Sequence, residues 1–192
     1  MPLTRTFPSA TVTLSSYPVL VAQEEQTSGT NGGTASLSAW TTRVLNTLVY
    51  NGISGASLSS NQITLPTGTY WITATSPYYA SSTPTGHQCR IYNVSDSAVV
   101  AHALGTSEYG TGSNGSGKSH IMGTVFTLSA TKIIRLEYYQ TGNSSSNSLG
   151  VAVSTGTNEV YGQVCVEQIS PISLTVTGIT NNTTFLENQV FD

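Results

Sequence analysis

Short runs of alternating apolar and polar residues dominate the chain and predict strands instead of helices. The clearest run is residues 87–94, HQCRIYNV, where Cys89 and Ile91 share one face and Arg90 and Tyr92 share the other. Every second side chain of a strand lies on the same face, so this pattern is typical of a strand with one buried face.

Similar segments recur along the chain, separated by turns rich in Gly, Ser and Asn. The pattern predicts turn structure at residues 52–60 and roughly ten short strands, which are typical of an antiparallel β-sandwich or jelly roll. The expected strand regions are residues 17–23, 40–50 (one or two strands), 61–75 (two strands broken at Pro-Thr-Gly), 87–94, 98–104, 123–129, 132–140, 149–155 and 159–170.

Composition supports an all-β fold. The chain has 27 Ser, 30 Thr and 10 Tyr, and only 8% of its residues are charged, against about 25% in an average soluble domain. Thr and Tyr favour strands, whereas Ser and Gly favour turns. A length of 192 residues suits one domain with short extensions and is enough to bury a core.

Charge and hydropathy argue against nucleic acid and membrane partners. The net charge is −3, and the six basic residues are scattered instead of forming a stripe that could neutralise phosphates. No apolar run approaches the ~20 residues that span a bilayer. Residues 1–16 contain no apolar core of a secretory signal, so we expect no such leader.

The cysteines and histidines do not form a recognisable metal or disulfide pattern. Cys89 and Cys165 lie 76 positions apart, which suits neither a disulfide framework nor a zinc site, and both are expected to be free, buried thiols. His87 and Cys89 share a strand face, but a metal site would need two more ligands. We therefore expect His87 to be packed or exposed, with no metal and no cofactor.

The stretch Gly112–Ser119, GSNGSGKS, matches the phosphate-binding pattern G-x-x-x-x-G-K-[ST] at each required position. A phosphate-binding loop also needs a buried strand before it and a helix after it. The following residues, HIMGTVFTLS, have a strand-like pattern with no helical periodicity. The sequence therefore predicts a long solvated loop here and no nucleotide binding.

Catalytic patterns are equally scarce. No G-x-S-x-G nucleophile motif occurs, and the nine acidic residues form no cluster. We expect a protein that is not an enzyme.

Residues 61–76, NQITLPTGTYWITATS, carry a resemblance to a known fold. Pro66, Gly68, Tyr70 and Ile72 lie where the tumour-necrosis-factor-like and complement-type jelly rolls have a Pro-x-Gly turn and a Gly-x-Tyr start of a core strand. The segment Leu45-Asn46 resembles the upstream part of that pattern. The resemblance implies a TNF-like jelly roll over roughly residues 17–169, a homotrimer, and no catalytic residues.

Three further segments resemble jelly-roll modules of tailed-phage virion proteins. They are AQEEQTSGTNGGT…WTTRVLNT at residues 22–47, RIYNVSDSAVV at 90–100 and GTSEY at 105–109. This resemblance implies a structural role in a phage particle.

The chain divides into an N-terminal arm (1–16), a jelly-roll domain (17–169) and a C-terminal arm (170–192). Both arms carry apolar residues in a polar setting, which predicts that neighbouring chains hold them through strand addition and apolar anchors. Folding back on their own domain is the alternative. The expected partner-binding residues are Leu3, Phe7, Phe185, Leu186, Val190 and Phe191.

Two virion roles fit this organisation. The first is a trimeric capsid decoration (cement) protein on the virion surface, bound to the major capsid protein. The second is a tail-fibre protein that recognises a host surface glycan; an enzyme acting on carbohydrate ranks well behind both. For the glycan role, the candidate sugar-stacking residues are Tyr78, Tyr79, Tyr109, Tyr138 and Tyr139.

Overall fold

The computed structural model describes residues 18–80, 85–103, 106–108, 115–142 and 146–169. All of them belong to one compact unit, Tyr17–Ser170. The expected anchors in the two arms lie outside the described residues. None of the described residues forms a helix long and apolar enough to span a membrane.

The described residues form two antiparallel sheets, which confirms the predicted all-β jelly-roll sandwich. Twelve strands are present in this part of the chain: β1 (Val19–Gln26), β2 (Thr41–Thr42), β3 (Thr47–Asn51), β4 (Ser57–Ser59), β5 (Gln62–Leu65), β6 (Gly68–Ala80), β7 (Thr85–Asn93), β8 (Ala98–His102), β9 (Thr106–Glu108), β10 (Gly115–Leu128), β11 (Lys132–Gln140) and β12 (Glu159–Ile169).

The five-stranded sheet has the order β10–β6–β12–β1–β3, so β12 is its central strand. The second sheet has the order β4–β5–β11–β7–β8, with β2 paired to β11 and β9 paired to β7. Within each sheet, strands distant in sequence become neighbours, as a jelly-roll topology requires.

The core lies between the two sheets and is built from alternate residues of their strands. Leu20, Ile72 and Val164 come from the five-stranded sheet, and Ile91 and Ile134 come from the other; all five are fully buried. Burial of each such side chain stabilises the fold by roughly 1.5–3 kcal/mol. The alternation of Cys89 and Ile91 with Arg90 and Tyr92 was therefore predicted correctly.

The Pro-x-Gly turn has its expected place between β5 and β6. Tyr70 and Ile72 are fully buried at the start of β6. The Tyr70 hydroxyl donates a hydrogen bond of 2.8 Å to the carbonyl oxygen of Pro66, which ties the turn to the strand that follows.

Two strand expectations were wrong. Residues 149–155 form no strand. The Ala152 N–H donates to the Asn31 side chain, and the N–H groups of Val153 and Ser154 donate to Glu159, so side chains satisfy the backbone that a sheet would otherwise pair. Conversely, β4 occupies the end of the predicted turn at 52–60 because Ser57–Ser59 pair with β5.

Candidate interaction surface

The outer face of the five-stranded sheet consists of the side chains that point away from the core. Its exposed large apolar residues include Tyr50 at 59%, Trp71 at 37%, Met122 at 74% and Val125 at 59%. Val125 lies opposite Trp71 in the register of β10 and β6. Exposed apolar groups gathered on one face mark an interaction surface more often than isolated ones do.

A β-bulge shapes the apolar part of this face. The register of β10 against β6 shifts between Ile121 and Thr124, and Gly123 there has a φ of +142°. A Cβ at Gly123 would lie 2.7 Å from the indole nitrogen of Trp71, so only glycine lets the indole approach the strand this closely. The bulge thus holds Trp71 in place and turns Met122 outward.

The rest of the outer face is polar but carries few charges. The side chains of Gln163 and Gln23 hydrogen-bond across β12 and β1 at 3.1 Å, and the hydroxyls of Thr69 and Thr127 lie 3.0 Å apart across β6 and β10. Few charges around an apolar centre are typical of protein–protein interfaces. This face can therefore associate with another protein without burying many unpaired ions.

A cavity of about 410 Å³, which we call the Lys118 groove, lies at one end of this face. Val151, Val153 and Val160 line it and are exposed, and Pro77 and Lys118 face each other across its floor in the β6–β10 register.

Glu159 borders the groove, but backbone N–H groups already hydrogen-bond to its carboxylate. Its carboxylate accepts hydrogen bonds from the N–H groups of Ser154 (2.8 Å), Gly29 (3.2 Å) and Val153 (3.2 Å). These donors favour the charged form and lower the pKa of Glu159. A lowered pKa in the folded state means that this stabilisation is present at neutral pH and is lost as the pH falls through that pKa.

The phosphate-binding pattern has a different structure from the loop that we expected. Gly115–Ser119 form the beginning of β10 and pair with Ala80–Ser76 of β6, so the last five residues of the motif are strand and not loop. Lys118 therefore lies on a sheet and not before the N-terminus of a helix, where backbone N–H groups could surround a phosphate.

We accordingly expect Lys118→Ala to fold normally and to leave nucleotide affinity unchanged. Lys118 is exposed on an outer strand face, and substitutions at such positions usually change stability by less than about 0.5 kcal/mol. Calorimetric titration with Mg-ATP should detect no binding to either protein. Micromolar affinity that this substitution abolishes would contradict the expectation.

His87 and Cys89 are packed in the core. His87 shares a hydrogen bond between its Nδ1 atom and the Tyr138 hydroxyl, and its ring stacks on Tyr78 with the centroids 3.8 Å apart. Burial raises the pKa of the Cys89 thiol to about 11. Among the described residues, no three His, Cys, Asp or Glu side chains are grouped so that they could hold a metal ion.

Both cysteines are free, as expected, but only one is buried. Cys89 is fully buried, whereas Cys165 is half-buried, because it points to the outer face beside Val21. The expectation of two buried thiols was therefore wrong for Cys165.

The tyrosines considered for sugar stacking do not form a common surface. Tyr78 and Tyr138 are buried in a small cluster with Ala35 and Leu149, so their side chains are packed against other parts of the protein. Tyr79 and Tyr139 are half-buried, and Tyr139 packs on Trp40 with the centroids 5.2 Å apart. Tyr109 lies outside the described residues.

A buried ion pair lies between the two sheets, and no pattern in the sequence predicted it. Glu24 and Arg43 are both fully buried, with Arg43 Nη2 donating to Glu24 Oε2 at 2.8 Å and Arg43 Nη1 donating to the carbonyl oxygen of Leu149 at 3.0 Å. Burial raises the pKa of Glu24 although Arg43 opposes this effect, and burial lowers the pKa of Arg43. Arg43 Nε has no hydrogen-bond partner among the described residues.

The second sheet carries a stacked cluster on its own outer face. The Arg90 guanidinium lies 4.0 Å from the Trp40 ring centre and 4.6 Å from that of Tyr92. The buried Glu137 accepts from Arg90 Nε at 2.6 Å and from Arg135 Nε at 2.7 Å. The Arg90 contact holds Trp40 against β7, and the two arginine donors explain how the carboxylate of Glu137 is buried on this face.

Known proteins resemble this chain in fold. A crystal structure of murine APRIL at pH 8.5 superposes with a TM-score of 0.51 at 14% identity, covering 80% of this chain and 100% of that one. A second murine APRIL structure, at pH 5.0, gives a TM-score of 0.50 at 13% identity with the same coverage. No family model and no curated protein sequence matches the chain. The likeness establishes a TNF-like jelly roll and nothing about activity.

Proposed function

We propose that this protein is a non-enzymatic structural component of a tailed-phage virion: a homotrimeric decoration protein that binds the major capsid protein on the capsid surface. The observation that carries the proposal is the apolar outer face of the five-stranded sheet, centred on Trp71 and Val125. The resemblance of residues 22–47 and 90–100 to phage virion modules supports the location in a particle.

Self-association accounts for the outer face better than an isolated monomer does. Trp71, Val125 and Tyr50 belong to three strands of one rigid sheet and would remain in contact with water in a monomer. Burying them against further copies recovers roughly 25 cal/mol for each Å² of apolar surface that is removed from water. A TNF-like sandwich with such a face is consistent with the homotrimer that the sequence resemblance implies.

We expect Val125→Lys to convert the trimer into monomers. A lysine at position 125, beside Trp71 on the apolar part of the outer face, would have to lose its hydration on association, while in the monomer it would stay in water and leave the core unchanged. Light scattering at micromolar concentration should give three times the 20.1 kDa chain mass for the wild type and a single chain mass for the variant.

The matched control is Val99→Lys, because Val99 is also an exposed valine on a strand but belongs to the second sheet. This control should remain trimeric. A wild-type protein that is monomeric at micromolar concentration would reject the self-association step.

Copy number in purified particles tests the virion role. A decoration protein that follows the capsid lattice should be present in high copy number, in a fixed ratio to the major capsid protein. A tail-fibre protein should be present at the low copy number of the tail. The burial of Tyr78 and Tyr138 removes two of the five residues considered for glycan stacking, so the structure adds no support to the tail-fibre role.

A further inference from the structure

The Lys118 groove combines apolar walls with one available positive charge. Val151 and Val153 reach it from an irregular segment and Val160 from β12, and all three valines are exposed. Among the described residues, no hydrogen bond or ion pair engages the Lys118 ammonium, whereas the Glu159 carboxylate has three backbone donors. A phosphate-binding loop surrounds its phosphate with backbone N–H groups at the N-terminus of a helix, whereas strands and an irregular segment form this groove. An apolar segment with a single carboxylate fits better.

Residues 185–192, FLENQVFD, have the complementary composition. Four of the eight are large and apolar, two are acidic (Glu187 and Asp192), and none is basic. We propose that, in the oligomer free of capsid, the Lys118 groove of one subunit binds residues 185–192 of a second copy of this chain. The apolar side chains pack on the valines, and a carboxylate of the segment pairs with the Lys118 ammonium. This inference rests on the proposed self-association.

The length of the C-terminal segment and the size of the groove are both compatible with binding of residues 185–192. Fifteen residues separate Ile169, the end of β12, from Phe185, and such a length extends up to about 50 Å, which is enough to reach a neighbouring subunit. A second cavity of about 260 Å³ shares Pro77, Lys118 and Val160 with the groove. Because the two cavities adjoin, they can accommodate several side chains of an extended segment.

The test uses the full chain and a photo-crosslinker. Phe191 is replaced by p-benzoylphenylalanine in ¹⁵N-labelled protein, which is mixed with unlabelled wild-type protein under conditions of subunit exchange and then irradiated. Mass spectrometry should find crosslinks from the labelled tail to unlabelled peptides that contain Val151, Val153 or Val160.

Variants of the unlabelled acceptor test the chemistry of the groove. Lys118→Glu should lower the yield of these crosslinks about fivefold, because it replaces an ion pair with like charges. Val160→Asp should lower it as well. Lys132→Glu, a lysine on the second sheet, is the matched control and should leave the yield unchanged.

With unlabelled protein in large excess, crosslinks found only between labelled peptides, or crosslinks that fall elsewhere on the unlabelled partner, would overturn the proposal. Equal yields with Lys118→Glu and Lys132→Glu would overturn it too. Light scattering of the same samples separates the two ideas: a monomer rejects self-association itself, whereas an oligomer with crosslinks elsewhere rejects only the groove as the binding site.

Discussion

We expect Arg43→Met to lower the free energy of unfolding by about 3–5 kcal/mol, because it leaves the carboxylate of Glu24 buried without its partner. Arg43 and Glu24 are both fully buried, and their hydrogen bond of 2.8 Å is the direct contact between the two charges. The substitution also frees the carbonyl oxygen of Leu149, which Arg43 binds at 3.0 Å. Urea denaturation at a fixed protein concentration measures the change, since stability of an oligomer depends on concentration.

Two further variants test whether the loss of stability in Arg43→Met comes from breaking the buried ion pair. Lys132→Met removes the partially exposed ion pair with Asp96 and should destabilise the fold far less than Arg43→Met does, because water screens this pair. The double substitution Glu24→Leu with Arg43→Met should recover most of the loss, since no uncompensated charge then stays buried. A single Arg43→Met variant within about 1 kcal/mol of the wild type would show that water reaches the pair.

Deletion of residues 180–192 should leave a folded, soluble oligomer that no longer binds capsids stably. The segment carries Phe185, Leu186, Val190 and Phe191, and each such side chain contributes roughly 1.5–3 kcal/mol when it is buried. Because several copies of the tail act together in one oligomer, their combined effect grows through effective concentration. Co-sedimentation with undecorated particles is the measurement.

The matched control replaces Asn181 and Asn182 with serine, which alters the same segment but keeps its apolar residues. This variant should co-sediment like the wild type. If the truncated protein co-sediments as well as the wild type, the C-terminal tail does not anchor the protein to capsids. That result would favour Leu3 and Phe7 in the N-terminal arm as the anchors, or the tail-fibre role.

Strands whose pattern is local were predictable from the sequence. Lys132–Gln140 has the predicted bounds, and the turn at Pro66 with buried Tyr70 agrees with the predicted start of the core strand. In both places the alternation and the turn residues specify the structure without help from distant parts of the chain.

Features that depend on distant partners were not predictable. The alternation of Val151 and Val153 indicated a strand, but the side chains of Asn31 and Glu159 occupy its backbone donors. Glu24 lies on the same face of β1 as the buried Leu20 and Ala22, so alternation alone places it inward, but its ion-pair partner Arg43 lies 19 positions away and no local pattern reveals the pair.

The candidate surface was harder to anticipate than the fold. Trp71 and Val125 are unremarkable members of two alternating strands in the sequence, and only the β6–β10 register places them side by side. The Lys118 groove likewise depends on an irregular segment meeting three strands. The six anchors named from the arms lie outside the described residues and stay a prediction.

The central position of β12 has a consequence for synthesis on the ribosome. β12 joins β6 to β1 in the five-stranded sheet, so before it emerges the sheet consists of two separate pairs, β10–β6 and β1–β3. Val19 of β1 can pair with Glu167 of β12 only after nearly the whole domain has been synthesised. Such long-range pairing is slow and leaves strand edges open meanwhile. Nascent chains should therefore depend on chaperones until Ile169 has left the exit tunnel.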